Sequence, residues 1–330
     1  MQVGYWRDSE TLFTHALAVT TANHLAHTNL GAVLRARGDL PGAVAHFDQA
    51  LAINPNNTKT LVNAGMALAE RGDAAGAADH YRRALARDPD YPVAHFNLGL
   101  VLATQGRLDD AAAELQTALA LNPDYAKAHA QLGVVRAAQG RLDEAIAHYE
   151  AALRLAPDLI PAHGNLALAL EDTGRRPEAI AHYRTILRLD PTDVMAHYNL
   201  GSGLTATGDI DGAIAEYRAA LRARPDWPAA EGRLAWLLAT GAGAERRDGR
   251  EAVALAERAC AETNGEDPAL LRTLAAAYAA AGRFPDAVET AGRALARARQ
   301  TGPQQVANDV SADLERYRAG EPLRPTRLSR

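Results

Sequence analysis

Histidine side chains recur at fixed spacings in this sequence and offer its most obvious metal chemistry. They fall in two series, one with His27, His95, His129, His163 and His197 and the other with His46, His80, His148 and His182. Metal ligands lie about 2 Å from their ion, whereas equivalent residues on adjacent packed helices lie roughly 10 Å apart. One series alone therefore cannot chelate. A pair drawn from both series is an open alternative, but we favour histidines that pack in place of aromatic rings, and we predict no metal and no cofactor.

Nucleophilic chemistry has less support. Ser202 lies between two glycines, but the surrounding pattern is helical, and a nucleophile elbow requires a preceding strand. The only cysteine, Cys260, is interpreted as a small buried apolar residue. The sequence has no Walker glycine-lysine loop and no HExxH motif. We therefore predict no catalytic residues and a protein that is not an enzyme.

Six carboxamide side chains share one spacing of 34 residues, and these are Asn29, Asn63, Asn97, Gln131, Asn165 and Asn199. A carboxamide offers a donor and an acceptor, which is what pairing with a peptide group requires. An extended chain rises about 3.3 Å per residue, so amides roughly 10 Å apart meet it about once every three residues. We predict that these six residues bind a peptide. The alternative is that asparagine is ordinary at this position and bonds only a neighbouring helix or water.

The same period governs most of the chain. It is marked by three series, namely Gly38, Gly72, Gly106, Gly140, Gly174 and Gly208; Pro55, Pro89, Pro123, Pro157, Pro191 and Pro225; and Ala43, Ala77, Ala111, Ala145, Ala179 and Ala213. Apolar residues at helical spacing lie on both sides of each glycine. Glycine can end a first helix in the left-handed conformation, and proline lacks the donor that would continue a second. Each period therefore predicts an antiparallel helical hairpin.

Each unit also has a characteristic internal spacing, which in the first unit comprises His27, Leu30, Gly31, Leu34, Ala43, Phe47 and Pro55. This pattern resembles the tetratricopeptide repeat (TPR) family, with histidine where the family usually has tryptophan. The resemblance implies an all-α fold, a right-handed solenoid of antiparallel hairpins whose first helices line a concave groove. The row of amides is similar to the asparagine ladder in the TPR superhelix of O-GlcNAc transferase.

The period also predicts how the chain is divided. Residues 1–23 form an N-terminal half-repeat helix, 24–227 six regular units, 228–267 a divergent repeat with an inserted loop, 268–301 a last unit, 302–318 a capping helix and 319–330 a flexible tail. In the capping helix Val306, Val310, Leu314 and Tyr317 make one apolar stripe. A polar outer face on a terminal helix suits the end of a repeat array.

The resulting prediction is a protein-protein interaction scaffold that binds an extended peptide in its groove. One alternative rests on both ends of the sequence, which are similar to the region after the membrane catalytic domain in bacterial relatives of transmembrane and TPR-containing O-mannosyltransferases. That resemblance implies an acceptor-guiding part of a membrane glycosyltransferase. Another alternative is a filament in which the N-terminal end docks on a second copy.

Charge and hydropathy restrict the partners. The formal net charge is −5, so no positive field gathers nucleic acid. No run of 18 apolar residues is present, which predicts no direct membrane insertion. The predicted location depends on whether the chain is complete. A complete chain would be cytoplasmic, and a fragment of a membrane protein would lie outside the cytoplasm.

Overall fold

A computed structural model describes residues 9–241, 248–301 and 304–323, and this part of the chain is entirely helical apart from its turns. It begins with α1 (Ser9–Val19) and ends with α18 (Gln304–Arg318). The first helices of the hairpins are α2 (His24–Ala36), α4 (Thr58–Glu70), α6 (Pro92–Thr104), α8 (Ala126–Ala138), α10 (Ile160–Asp172), α12 (Val194–Thr207), α14 (Pro228–Thr240) and α16 (Pro268–Ala280). The second helices are α3 (Leu40–Ile53), α5 (Ala74–Leu85), α7 (Leu108–Leu121), α9 (Leu142–Leu155), α11 (Arg176–Leu189), α13 (Ile210–Ala223), α15 (Gly249–Glu262) and α17 (Phe284–Thr301). The predicted all-α fold of stacked hairpins is confirmed.

The chain divides into two compact units within α10. The N-terminal unit comprises Met1–Ala169 and the C-terminal unit Leu170–Arg330. From α2 to α9 in the N-terminal unit, each first helix packs on its own second helix, and each second helix up to α7 packs on the next first helix. The first helices α2, α4, α6 and α8 also contact one another in sequence order.

A glycine and a large side chain set the crossing within several of the hairpins. In α8 a Cβ added to Gly133 would lie 2.6 Å from Cε1 of Tyr149, a ring on α9 that is 2% exposed. Gly65 has the same relation to Tyr81, and Gly31 meets Phe47. Glycine removes the bulk that would separate the two axes. The buried ring fills the space instead.

The turn inside each of the six regular hairpins uses the predicted left-handed glycine. Gly38 has φ +83° and ends α2, and its N–H donates to the carbonyl of Arg35 at 3.0 Å. The equivalent glycines of the later units also have positive φ. An L-residue there would place its Cβ against the carbonyl oxygen that follows.

Two different residue pairs begin the second helices. In one kind an aspartate caps the helix, as Asp39 Oδ1 accepts from the N–H of Gly42 at 3.0 Å. In the other kind arginine takes that position and pairs with an acidic residue three positions later, as Arg107 Nε does with Asp110 at 2.8 Å. At Gly42 the cap leaves no room for a side chain, because an added Cβ would lie 2.4 Å from the carboxylate of Asp39.

The C-terminal unit departs from the regular stack. Its first helices α14 and α16 pack directly on each other, and Gly232 allows this because a Cβ there would lie 2.6 Å from Cδ2 of Leu270. The helix α18 packs on α17 and α16. Residues 242–247 of the predicted inserted loop lie outside the described residues, as do residues 324–330 of the predicted tail. Leu323 is buried, so the beginning of that tail is packed rather than free.

Candidate functional site

The first helices of the N-terminal unit share one solvent-accessible face. Counting the first residue of each 34-residue unit as position 1, this face carries positions 2, 6, 9 and 13, and we call it the first-helix stripe. These positions are spaced by three or four residues, so they lie above one another on a helix. Position 2 is exposed in every one of these helices, occupied by Leu25, Lys59, Val93, Lys127 and Pro161.

The predicted amides occupy position 6, in the middle of the stripe. Asn29, Asn63, Asn97, Gln131 and Asn165 belong to the N-terminal unit, and each is half-buried. Their neighbours at position 7, such as Leu30 and Leu98, are buried in the core. The amides therefore lie beside the core and on the accessible side of it.

Among the described residues, only one of these five amides forms a hydrogen bond with its own helix. Asn97 Nδ2 donates to the carbonyl of Val93 at 2.7 Å, in an exposed position. Among the described residues, no hydrogen bond involves the side-chain amides of Asn29, Asn63, Gln131 or Asn165. Asn97 thus bonds its own helix, whereas the alternative that the amides bond only water stays a prediction for the other four.

The residues that flank the amides are mainly apolar. At position 9 the stripe has Met66, Leu100 and Val134, all half-buried, and Leu168, which is 48% exposed. At position 2 Leu25 is 60% exposed. A surface that alternates apolar side chains with free amides can bury apolar groups and pair peptide groups at the same time.

Two lysines are free charges at position 2 of this stripe. Lys59 and Lys127 are the only lysines in the sequence, and each lies four residues before an amide, at position 2. Both are exposed, and neither makes an ion pair within the described part of the chain. By contrast, Glu70 of the stripe pairs with Arg35 at 3.5 Å.

The sixth amide, Asn199, lies in the C-terminal unit on α12 and is half-buried. In this unit position 6 continues 34 residues later with Arg233 on α14. Arg233 is exposed and lines a cavity of about 490 Å³ between α12, α14, α16 and α18. The predicted amide series ends at Asn199 and does not include this arginine, although the 34-residue spacing leads directly to it.

Two pairs of histidines, each with one member from either series, meet within hairpins. Nδ1 of His27 lies 3.0 Å from Nδ1 of His46, and the same atoms of His129 and His148 lie 3.2 Å apart. Burial lowers the pKa of His27, His46 and His148. In the unit that begins at residue 92, Glu114 takes the place of the second histidine and lies 2.6 Å from His95. No three metal-ligating side chains come together in the described ranges.

The remaining nucleophile candidate is poorly suited to reaction. Cys260 is buried in α15, and burial raises the pKa of its thiol to about 11. A thiol with a raised pKa holds little of the reactive thiolate at neutral pH.

Among the described residues, no helix combines the length and the apolar character that a membrane span requires.

Comparison with family models identifies the repeats. Models described as tetratricopeptide repeat match residues 20–90, then 62–120, 96–160 and 165–228, and finally 268–293. Together they cover more than half of the chain. The chain belongs to the tetratricopeptide repeat family. Tetratricopeptide repeat proteins are typically protein-interaction scaffolds.

Solved tetratricopeptide repeat structures are similar to the chain. PilF of Pseudomonas aeruginosa aligns with a TM-score of 0.57 at 21% identity, over 62% of this chain and 93% of its own, which shows the fold. MamA aligns at 30% identity over 49% of this chain and 95% of its own, with a TM-score of 0.45. YrrB, titled a TPR protein with an unusual peptide-binding site, aligns at 24% identity over 59% and 97%, with a TM-score of 0.47. Among curated proteins no match was found.

Proposed function

We propose that this chain is a non-catalytic scaffold that holds an extended segment of another protein along the first-helix stripe. The amides at position 6 pair with peptide groups of that segment, and the apolar residues at positions 2 and 9 cover its side chains. One observation carries the proposal. Four of the five amides in the N-terminal unit are accessible and have no partner in the described scaffold.

The expected affinity is moderate. A hydrogen bond contributes about 0.5–1.5 kcal/mol after competition with water, so the amides alone cannot offset the entropy of ordering a peptide. The apolar neighbours supply the rest, since burying apolar surface contributes about 25 cal/mol per Å². Because amides recognise peptide groups rather than side chains, the site tolerates many sequences.

Asn97 is compatible with this function despite its hydrogen bond. Its partner, the carbonyl of Val93, already accepts within α6, so the half-buried side chain exchanges one acceptor for another when a peptide arrives. The net gain at this position is therefore smaller than at the other amides. For this reason Asn63 and Gln131 are better test positions.

The test measures binding of a peptide selected from a displayed library of random twelve-residue sequences. The double variant Asn63→Ala, Gln131→Ala is expected to weaken binding about tenfold to a hundredfold, from the loss of two hydrogen bonds. Asn56→Ala is the matched control, because Asn56 is an exposed asparagine in a turn outside the stripe. Equal affinities for the double variant and the control would refute the proposal.

The two lysines allow a second, independent readout. Acetylation of amines followed by mass spectrometry reports Lys59 and Lys127 separately, with the amino terminus as an internal reference. A peptide that follows the stripe protects both lysines, since each lies one turn from an amide. Protection of neither lysine by a bound peptide would place the ligand elsewhere.

The two other interpretations stay predictions. An acceptor-guiding role in a membrane glycosyltransferase would use the same stripe and add a catalytic domain, and an in-frame run of apolar helices encoded upstream of Met1 would support it. Self-association through the N-terminal end predicts light scattering that rises with protein concentration. A constant particle mass over that range would exclude filaments.

A further inference from the structure

The C-terminal unit contains a cavity whose lining differs from the first-helix stripe. Its volume is about 490 Å³, and Tyr198, Arg233, Trp236, Leu270 and Val306 are among its lining residues. The floor is apolar, because Gly232 is buried and Leu270 is half-buried beside it. Val306 belongs to α18, so the C-terminal helix forms one wall. The cavity is large enough for one bulky side chain of a ligand.

One of the two cations in this cavity is already neutralised. Arg272 Nε lies 2.7 Å from Asp313, and its Nη1 lies 2.9 Å from Asp309. Its guanidinium also lies over Trp236, at 5.0 Å from the ring centroid. These contacts hold Arg272 and Trp236 as a fixed wall. They leave Arg272 little capacity to bind an anion.

Arg233, the other cation of the cavity, is not neutralised by any carboxylate that the structure describes. It is exposed, and among the described residues it makes no ion pair and no hydrogen bond. Asp267 also lines the cavity, but its Oδ1 accepts from the N–H groups of Ala269 and Leu270, at 2.8 and 3.3 Å, and so caps α16. The five donors of Arg233 are therefore available to a ligand.

The position of Arg233 within the repeat indicates what it can bind. Arg233 occupies position 6, where the preceding units have a carboxamide, and Asn199 on α12 is the amide before it. A carboxamide pairs with a neutral peptide group, whereas a guanidinium forms paired, charge-assisted bonds with a carboxylate. The same repeat position thus changes from recognising peptide groups to recognising an anion.

We infer that this cavity binds an acidic side chain of a partner peptide together with the apolar side chain next to it. The carboxylate pairs with Arg233 at the exposed rim, and the apolar side chain enters the cavity over Leu270 and Val306. A side-chain carboxylate fits the rim better than a chain terminus does, because it reaches Arg233 while the backbone continues. The inference rests on the proposed function only in taking a peptide as the ligand.

The experiment uses the full chain and four labelled twelve-residue peptides with one common alanine, serine and glycine background. Their central residues are Leu-Glu, Leu-Gln, Ala-Glu and Leu-Lys, and binding is measured by fluorescence anisotropy. We expect Leu-Glu to bind about tenfold more tightly than Leu-Gln, because it adds a charge-assisted pair. Leu-Lys is expected to bind most weakly. Ala-Glu is expected to lose at least about fivefold relative to Leu-Glu, since it leaves the floor uncovered.

The decisive variant is Arg233→Asn, which restores the carboxamide of the other units. It is expected to bind Leu-Glu and Leu-Gln equally while retaining the weaker binding that both share. Arg184→Asn is the matched control, because Arg184 is an exposed arginine on α11 that makes no ion pair among the described residues. It removes the same charge and is expected to leave the tenfold preference intact.

Three results would overturn the inference. The first is equal binding of Leu-Glu and Leu-Gln, or no binding of either, to the native chain. The second is a preference for Leu-Glu that survives Arg233→Asn. The third is tight binding of Leu-Gln only when its C-terminus is free rather than amidated, which would assign the site to a chain terminus. If the Asn63→Ala, Gln131→Ala variant binds the library-selected peptide as tightly as the native chain does, while the native chain still prefers Leu-Glu over Leu-Gln, the stripe proposal fails and this inference stands.

Discussion

Adding one methyl group at Gly133 tests whether the hairpin crossing is as tight as the structure indicates. In Gly133→Ala the new Cβ would lie 2.6 and 2.7 Å from two ring carbons of Tyr149, which is 2% exposed. Carbon atoms pack at about 3.5–4.0 Å, so the ring or the helix must move by about 1 Å. Gly201→Ala is the matched variant, because its Cβ would meet the ring of Tyr217 at 3.0 to 3.1 Å.

The expected magnitude is the balance of two opposing effects. Alanine stabilises a helix interior by about 1 kcal/mol relative to glycine, and overpacking a core costs about 1–3 kcal/mol. At Gly133 the clash is with a fully enclosed ring, so overpacking exceeds helix propensity and the net loss is about 1–2 kcal/mol. At Gly201 the ring has to give by only a few tenths of an ångström, so the two effects nearly cancel.

The assay combines urea unfolding with hydrogen exchange. Repeat arrays need not unfold in one step, so exchange of the amides in α8 and α9 shows whether the loss is local. We expect faster exchange in those two helices in Gly133→Ala, and weaker binding of peptide because Gln131 lies two residues away on α8. If Gly133→Ala is as stable as Gly201→Ala, the reasoning about the crossing fails.

Two further predictions concern charges inside the hairpins. Because folding lowers the pKa of His46 and His148 from the ordinary value of 6.5, the unfolded chain binds more protons, and stability is expected to fall as pH drops below about 6.5. The variant His46→Glu, His148→Glu copies the natural histidine-glutamate pair. Its urea midpoints at about pH 7.5 and pH 5.5 should therefore differ less than those of the native chain. An unchanged difference would exclude the histidine pairs as the cause of the loss of stability at low pH. Arg258→Ala leaves the carboxylate of Glu231, which is 1% exposed and lies 2.6 Å from Arg258 Nε, without its cation, and should cost about 2 kcal/mol in urea unfolding. Arg218→Ala breaks an exposed pair and should cost under about 1 kcal/mol, so equal losses would contradict this account.

The hairpins could be predicted because each of their determinants is local. Gly38 ends a helix through its own backbone freedom, and Pro55 follows a helix end because it has no donor. The pairing of Gly31 with Phe47 is also visible as a fixed spacing. The direct contact of α14 with α16 could not be predicted, since this unit breaks the 34-residue spacing and no local pattern encodes the contact.

The candidate site was only partly predictable. The period placed the amides on one face of the first helices, because spacing alone determines which side chains share a face. Which amides are free depends on rotamers, and the bond from Asn97 to the carbonyl of Val93 has no counterpart in the pattern. The cavity at Arg233 requires the packing of α18 against α16, which no local signal encodes.

The nearest-neighbour packing of the hairpins bears on how a ligand and the array influence each other. In the described part of the N-terminal unit, helices pack chiefly on those adjacent in sequence order, so one hairpin can open while distant ones stay closed. A peptide lying across α2, α4, α6 and α8 would tie these separate openings into one cooperative event. The stability of the array would then increase more than in proportion to the length of the bound ligand. Short ligands would leave each hairpin to unfold independently.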